Sequence, residues 1–231
     1  MTSRRKSILE TSVDDFINNA NLITSGYLYK KHDFGIKTAM IRRELNKLDK
    51  EGFLHQAHPS GGRIPTNKAY RFYVKRLQED KSGNLDITER KREKIYKDLL
   101  SKRLDEFTKL MAEYIEAMSI VYNPHKEEFY SSGLRNIFES INTEKKEDFL
   151  SIVCDFEMLP NRLSKELDNI TKRDLNIYIG GSPITESDLL SVISKKLDSE
   201  GDELMLLTVG PKRMNYRKSL CIFEFFDEEL N

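Results

Sequence analysis

Tryptophan is absent, cysteine occurs twice, and 38 basic residues are balanced by 38 acidic ones. Each shortage excludes something. Cys154 and Cys221 stand in separate apolar contexts, with no second Cys or His at metal-ligand spacing. That removes a disulfide framework and a zinc site as organising features, and both thiols read as buried small hydrophobes. No apolar run approaches the roughly 18–20 residues of a membrane helix. The opening Met1-Thr2-Ser3-Arg4-Arg5-Lys6 leads into an amphipathic stretch, not the apolar core of a secretory signal. The expectation is a soluble, cytoplasmic protein without membrane association. Four histidines (His32, His55, His58 and His125) have no Asp or Cys at triad-like spacing. Gly180-Gly181-Ser182-Pro183 lacks the spacing of a phosphate loop and reads as a turn. No catalytic residue, cofactor or metal is expected, and no enzyme.

The zero net charge hides a split. Met1–Asp80 carries 15 Lys/Arg and 9 Asp/Glu, a net of +6, which leaves −6 for the other 151 of the 231 residues. A small basic module near something anionic, followed by a larger acidic one, fits both the charge and the length.

In the basic part, Leu9, Val13, Phe16, Ile17 and Ala20 form one apolar stripe at helical spacing. Thr24-Ser25-Gly26 can cap a short helix through Tyr27–His32, which Gly35 can end. A third helix is expected from Thr38 to Lys50, ended by Gly52, with Ile41, Leu45 and Leu48 inward. Stepping about 100° per residue from Ile41 places Lys50, Arg43, Ala39 and Asn46 between about 140° and 200°, with Lys47 at about 240°. The outer face therefore bears cations, an amide and a small residue. A helix that enters the major groove needs such a face, although the same pattern also describes a solvated basic surface.

Phe53-Leu54-His55-Gln56-Ala57-His58 reads as a strand, and Pro59-Ser60-Gly61-Gly62-Arg63-Ile64 as a turn with a cation at its tip. Gly61-Gly62 would supply positive backbone angles there. Pro65-Thr66-Asn67 then opens a last helix, with Thr66 as N-cap and Tyr70, Tyr73, Val74 and Leu77 on one face. Three helices followed by a basic hairpin make an N-terminal winged helix-turn-helix over residues 1–80. The expected double-stranded DNA contacts are Lys37, Thr38, Ala39, Arg42, Arg43, Asn46, Lys47 and Lys50, with His58, Ser60 and Arg63 in the hairpin and Arg71 beyond it. Within this set Arg43 and Asn46 would read bases while Lys47, Lys50 and Arg63 hold phosphates.

The run His58-Pro59-Ser60-Gly61-Gly62-Arg63-Ile64-Pro65-Thr66-Asn67-Lys68-Ala69-Tyr70-Arg71-Phe72-Tyr73-Val74 closely resembles the wing segment of the HrcA family of heat-inducible transcription repressors. Ala39-Met40-Ile41-Arg42-Arg43-Glu44-Leu45 is similar to that family's recognition helix, and Gly210-Pro211-Lys212-Arg213-Met214-Asn215-Tyr216 to its C-terminal signature. The resemblance implies a dimeric repressor that binds an inverted-repeat operator of CIRCE type and is tuned by the GroEL chaperonin. It also implies a GAF-like C-terminal domain, here shortened between the long helix and Tyr130-Ser131-Ser132-Gly133-Leu134. Lys37, Met40 and Arg43 depart from the family pattern, which puts the usual operator sequence in question.

Residues 85–123 read as one long helix, with Leu100, Leu104, Phe107, Met111, Tyr114, Met118 and Val121 forming a heptad-like seam. This seam packs either on its own domain or on a second copy, and a palindromic operator favours the homodimer. Over 124–231 the expected elements are strands at Phe149–Cys154, Asn176–Ile179 and Glu203–Val209, and a helix at Ser187–Leu197. A closing helix or strand is expected at Met214–Phe226. The class is α+β, ending in a reduced GAF-like α/β domain. Gly210–Tyr216 reads as a strand-to-helix turn or as an anion cradle built on Lys212 and Arg213. The functional alternative to a heat-shock repressor is a winged-helix regulator whose C-terminal domain senses a small molecule. A third reading puts the winged helix on RNA or on a protein.

Overall fold

The computed structural model describes residues 1–56, 61–80, 87–141, 143, 145–166, 175–199 and 201–230. The chain divides into two compact units, Met1–Lys81 and Ser82–Asn231. Helices and antiparallel strands coexist, so the class is α+β.

The first unit contains α1 (Ser3–Asn19), α2 (Ser25–Lys31), α3 (Thr38–Lys50), β1 (Leu54–His55), β2 (Ile64–Pro65) and α4 (Asn67–Glu79). Local chemistry sets the helix ends. The Thr2 and Thr24 hydroxyls accept from the Arg5 and Tyr27 amides, at 3.3 and 3.1 Å, capping two first turns. Gly52, at φ +75°, ends α3 in the left-handed region that favours glycine. Ile8, Leu9, Val13, Leu28, Ile41, Leu45, Leu48, Tyr70 and Val74 are buried together as the core. Each such side chain contributes roughly 1.5–3 kcal/mol by leaving water. β1 and β2 pair as Leu54↔Pro65 and His55↔Ile64, and an isolated bridge joins Ile23 to Arg63.

Among the described residues, the second unit holds α5 (Glu89–Leu100), α6 (Leu104–Ile115), β3 (Met118–Asn123), β4 (Glu128–Ser132), α7 (Leu134–Ser140) and α8 (Lys146–Glu166). β5 (Asn176–Ile179), β6 (Leu190–Ser199), β7 (Asp202–Pro211) and α9 (Tyr216–Leu230) complete it. The sheet is antiparallel, in the order β4-β3-β7-β6-β5. Ile152, Leu159 and Leu163 of α8 join Met118, Ile120, Tyr122, Val192, Leu207 and Val209 in one core cluster. Ser191 alternates with Val192 and so points to the other face, where its hydroxyl meets that of Tyr216 of α9 at 2.8 Å.

Five expectations differ from the observed fold. The long helix over 85–123 is two helices and a strand. Lys102 (φ +56°) and Glu116 (φ +55°) adopt left-handed backbone, and the Arg103 amide folds back onto the Asp98 carbonyl at 2.9 Å. The seam is consequently no dimer stripe. Leu104, Phe107, Met111 and Tyr114 are buried within α6's own unit, Met118 and Val121 lie on β3, and Leu100 is half-buried. A 3–4 spacing reports an apolar face, not its partner.

Phe149–Cys154 is helical within α8, because the residues buried there (Ile152, Asp155, Leu159 and Leu163) follow helical spacing. Leu150 and Val153, exposed on the opposite side, make the segment look uniformly apolar. Ser187–Leu197 runs into β6, not into a helix. Leu190, Ile193 and Leu197 fit helical spacing, but β6 is a central strand covered on both faces, so the alternation that marks a strand is missing. Cys154 is exposed, whereas Cys221 is buried, and burial pushes its thiol up. Asn176–Ile179 and Glu203–Val209 are strands within β5 and β7, and the closing segment is helical from Tyr216 onward, in α9.

Gly210–Tyr216 makes the turn from β7 into α9. A Cβ on Gly210 would lie 2.8 Å from Met214 Sδ and 3.0 Å from Met214 Cβ, so the turn packs closely where the glycine stands. The Tyr216 hydroxyl donates to the Lys212 carbonyl at 2.9 Å, and the Lys212 ammonium pairs with Asp188 at 2.8 Å. The segment ties strand to helix, and its lysine is directed at a carboxylate.

A second tie is less visible in the sequence. Asp155, inside α8 and 1% exposed, accepts from the Glu186 and Ser187 amides at 2.7 and 2.9 Å, and from Arg162 Nη1 at 2.6 Å. Asp155→Ala takes the acceptor from two amides, while Arg162 keeps the Ile184 carbonyl and the Glu186 carboxylate, so it is expected to cost about 2–4 kcal/mol in denaturant unfolding of this unit. A loss below about 1 kcal/mol would mean that apolar packing alone holds the 184–187 loop.

Candidate nucleic-acid interface

The inward stripe of α3 is complete: Ile41, Leu45 and Leu48 are all fully buried. That burial sets the rotation of the helix, leaving Ala39, Arg42, Arg43, Asn46, Lys47 and Lys50 exposed along one side. Lys37, also exposed, occupies the N-cap position without a side-chain cap bond, and Thr38 is half-buried. Arg43 Nη1 lies 3.9 Å from Met40 Sδ, and Met40 is itself exposed.

Glu44, on the flank, accepts from Arg5 Nε at 2.7 Å and from Lys47 Nζ at 3.1 Å. The Arg5 hydrogen bond, joined by Lys47, holds this carboxyl below its ordinary range against the opposing effect of burial. The pair joins α1 to α3 across 39 positions, too far apart for any local pattern to reveal it. On α1, buried Asp15 accepts from Lys31 Nζ at 2.7 Å and meets His32 Nε2 at 2.6 Å. The Asp15 hydrogen bond raises the Lys31 ammonium, and a hydrogen bond to the Tyr27 hydroxyl adds to this. His32 thus has the aspartate partner that sequence spacing did not suggest.

The hairpin departs from expectation. His58 and Ser60 lie outside the described residues. Arg63 is not a cation at a wing tip but is 8% exposed, turned into the unit. Its Nη2 donates to Asn46 Oδ1 at 2.6 Å and to Gln56 Oε1 at 2.9 Å, and its Nε to Asp49 Oδ2 at 3.3 Å. Its backbone pairs with Ile23 in both directions, at 2.8 and 2.9 Å. Buried in this way it cannot also clamp a phosphate, because a desolvated guanidinium needs those acceptors.

Gly62 is corrected likewise. Its φ is not positive, and the glycine is required because a Cβ would stand 2.5 Å from Leu22 Cβ and 3.1 Å from the Ile23 carbonyl. Thr66 sits at the N-cap of α4, but its hydroxyl donates to the Gly52 and Phe53 carbonyls at 2.7 and 3.1 Å, not to the helix. Arg71 is exposed on α4.

The described residues thus bring together α3's outer cations, with Asn46 among them and Arg63 behind. Among the described residues, no group of His, Cys, Asp and Glu could hold a metal ion, and no helix is long and apolar enough to cross a membrane.

The family model for the HrcA protein C terminal domain matches residues 73–220. A heat-inducible transcription repressor HrcA of Acetivibrio thermocellus is 36% identical over 121 residues, covering 52% of this chain and 32% of that protein. The protein of the same name from Desulfitobacterium hafniense is 30% identical over 182 residues, covering 76% of this chain and 50% of its own. The chain spans about half the length of such curated relatives. A crystal structure of a hypothetical protein superposes with TM-score 0.77 at 15% identity, covering 100% of this chain and 97% of that one, and shows a shared fold. By the match over residues 73–220, the chain belongs to the HrcA family.

Proposed function

We infer that the protein is a sequence-specific DNA-binding repressor of heat-inducible genes. It acts as a homodimer on an inverted-repeat operator of CIRCE type. The first unit serves as a winged helix-turn-helix with α3 in the major groove, and the second as a reduced GAF-like domain. The observation that carries this reading is the rotation of α3: its three apolar residues are fully buried while Arg43, Asn46, Lys47 and Lys50 face outward. Membership of the HrcA family supports the repressor role, and the motif resemblance extends the proposal to the GroEL chaperonin as regulator. The dimer that a two-fold operator demands uses a surface other than the 100–121 stripe.

Selection of bound duplexes from a random pool tests the reading, and an enriched inverted repeat is the expected result. Single strands bound as tightly as duplex would favour RNA or another partner. Two substitutions separate base reading from phosphate holding. Arg43→Ala is expected to relax preference at one position per half-site and to cost about 1–3 kcal/mol on the selected site. Lys50→Ala should weaken all duplexes alike and lower the salt slope by about one. Equal losses on selected and random DNA for Arg43→Ala would remove Arg43 from base reading.

A further inference from the structure

Asn46 is exposed on α3, yet the oxygen of its amide is already engaged. Arg63 Nη2 donates to Oδ1 at 2.6 Å, from a guanidinium held by Asp49 and Gln56 as well. Gln56 is in turn anchored through its Nε2 to the Gly61 carbonyl at 2.8 Å, and the Arg63 backbone is paired with Ile23. Arg63 therefore has little freedom to turn away. A charge-assisted bond of this kind is short and roughly twice as strong as a neutral one, so it also sets the plane of the Asn46 amide. With the oxygen drawn inward, Asn46 Nδ2 is the atom left for a ligand, and no hydrogen bond engages it among the described residues.

The consequence lies in the major-groove code. An asparagine that reads adenine needs its oxygen and its amine side by side, to accept from N6 and donate to N7. Guanine instead offers two acceptors, O6 and N7, and asks only for donors. We propose that Arg63 is a positioning residue that turns Asn46 into a pure donor, so that the base opposite Asn46 in each half-site is guanine, not adenine. This rests on the reading of α3 as a groove-entering helix.

The test is duplex selection by the full chain and two variants, followed by fluorescence anisotropy at fixed salt. The wild type is expected to enrich a guanine that loses about tenfold in affinity when replaced by adenine or 7-deazaguanine, within the range of one base contact. Asn46→Asp keeps an acceptor for Arg63 but presents an acceptor outward. It should move the preference at that position alone to cytosine, whose N4 amine donates. Arg63→Met frees the amide to rotate, so adenine should become tolerated there.

Should Arg63→Met fail to fold, Asn46→Asp, an exposed helix substitution, still decides. If Asn46→Asp selects the wild-type base, or the wild type selects adenine, the inference is overturned and the groove reading stands. A wild type that enriches no duplex overturns both.

Discussion

Replacing Phe107 and Met111 together by Asp is expected to unfold the Ser82–Asn231 unit. Both side chains are fully buried, and the Phe107 ring packs against that of Phe226 of α9 at 5.7 Å between centroids. Each substitution removes a large apolar group and leaves an unpaired carboxylate where it stood. On the order of 4 kcal/mol or more per site is expected, which together reaches the whole stability of an ordinary domain. Hydrogen exchange should become fast throughout Met118–Asn123 and Asp202–Pro211, whose pairing depends on α6 and α9 covering the sheet. A double mutant that keeps its protection and merely sediments as a smaller species would restore the stripe as a dimer seam.

Gly62→Val is expected to destabilise the Met1–Lys81 unit as well as weaken DNA binding. Its first added carbon would stand 2.5 Å from Leu22 Cβ, an atom fixed to backbone, so either the 20–24 loop or the hairpin must move. Moving them breaks the Ile23–Arg63 bridge and displaces the guanidinium that holds Asn46. Overpacking of this kind costs about 1–3 kcal/mol, which lowers the melting temperature of a unit this size by roughly 4–8 °C per kcal/mol. Gly62→Ala should reproduce most of the effect, because the Cβ itself makes the clash. An unchanged melting temperature with Gly62→Val would show that the loop yields freely and that the glycine serves recognition alone.

The α3 helix was legible to the residue. Its apolar spacing, its termination at Gly52 and the rotation of its outer face are local properties of thirteen consecutive positions. The same holds for the Thr24 cap and for the strand Asn176–Ile179, and the HrcA resemblance rested on short contiguous motifs. Arg63 shows where such reading stops. A cation beside Gly61-Gly62 looks like a phosphate contact, and only the packing of the hairpin on α3 brings Asn46, Asp49 and Gln56 around it. Asp155 beneath the 184–187 loop and Glu44 between Arg5 and Lys47 are further cases in which the partner lies tens of residues away.

The basic first unit, its helices, the outward face of α3 and the family could all be read along the chain, because each depends on neighbouring residues. The break of 85–123 into two helices and a strand, the entry of Ser187–Leu197 into a central strand and the inward turn of Arg63 follow from long-range packing. Hydrophobic spacing says that a face is covered but not by what. An apolar run fits a strand buried on both sides as well as it fits a helix, and the choice falls to the sheet whose edge groups must be paired.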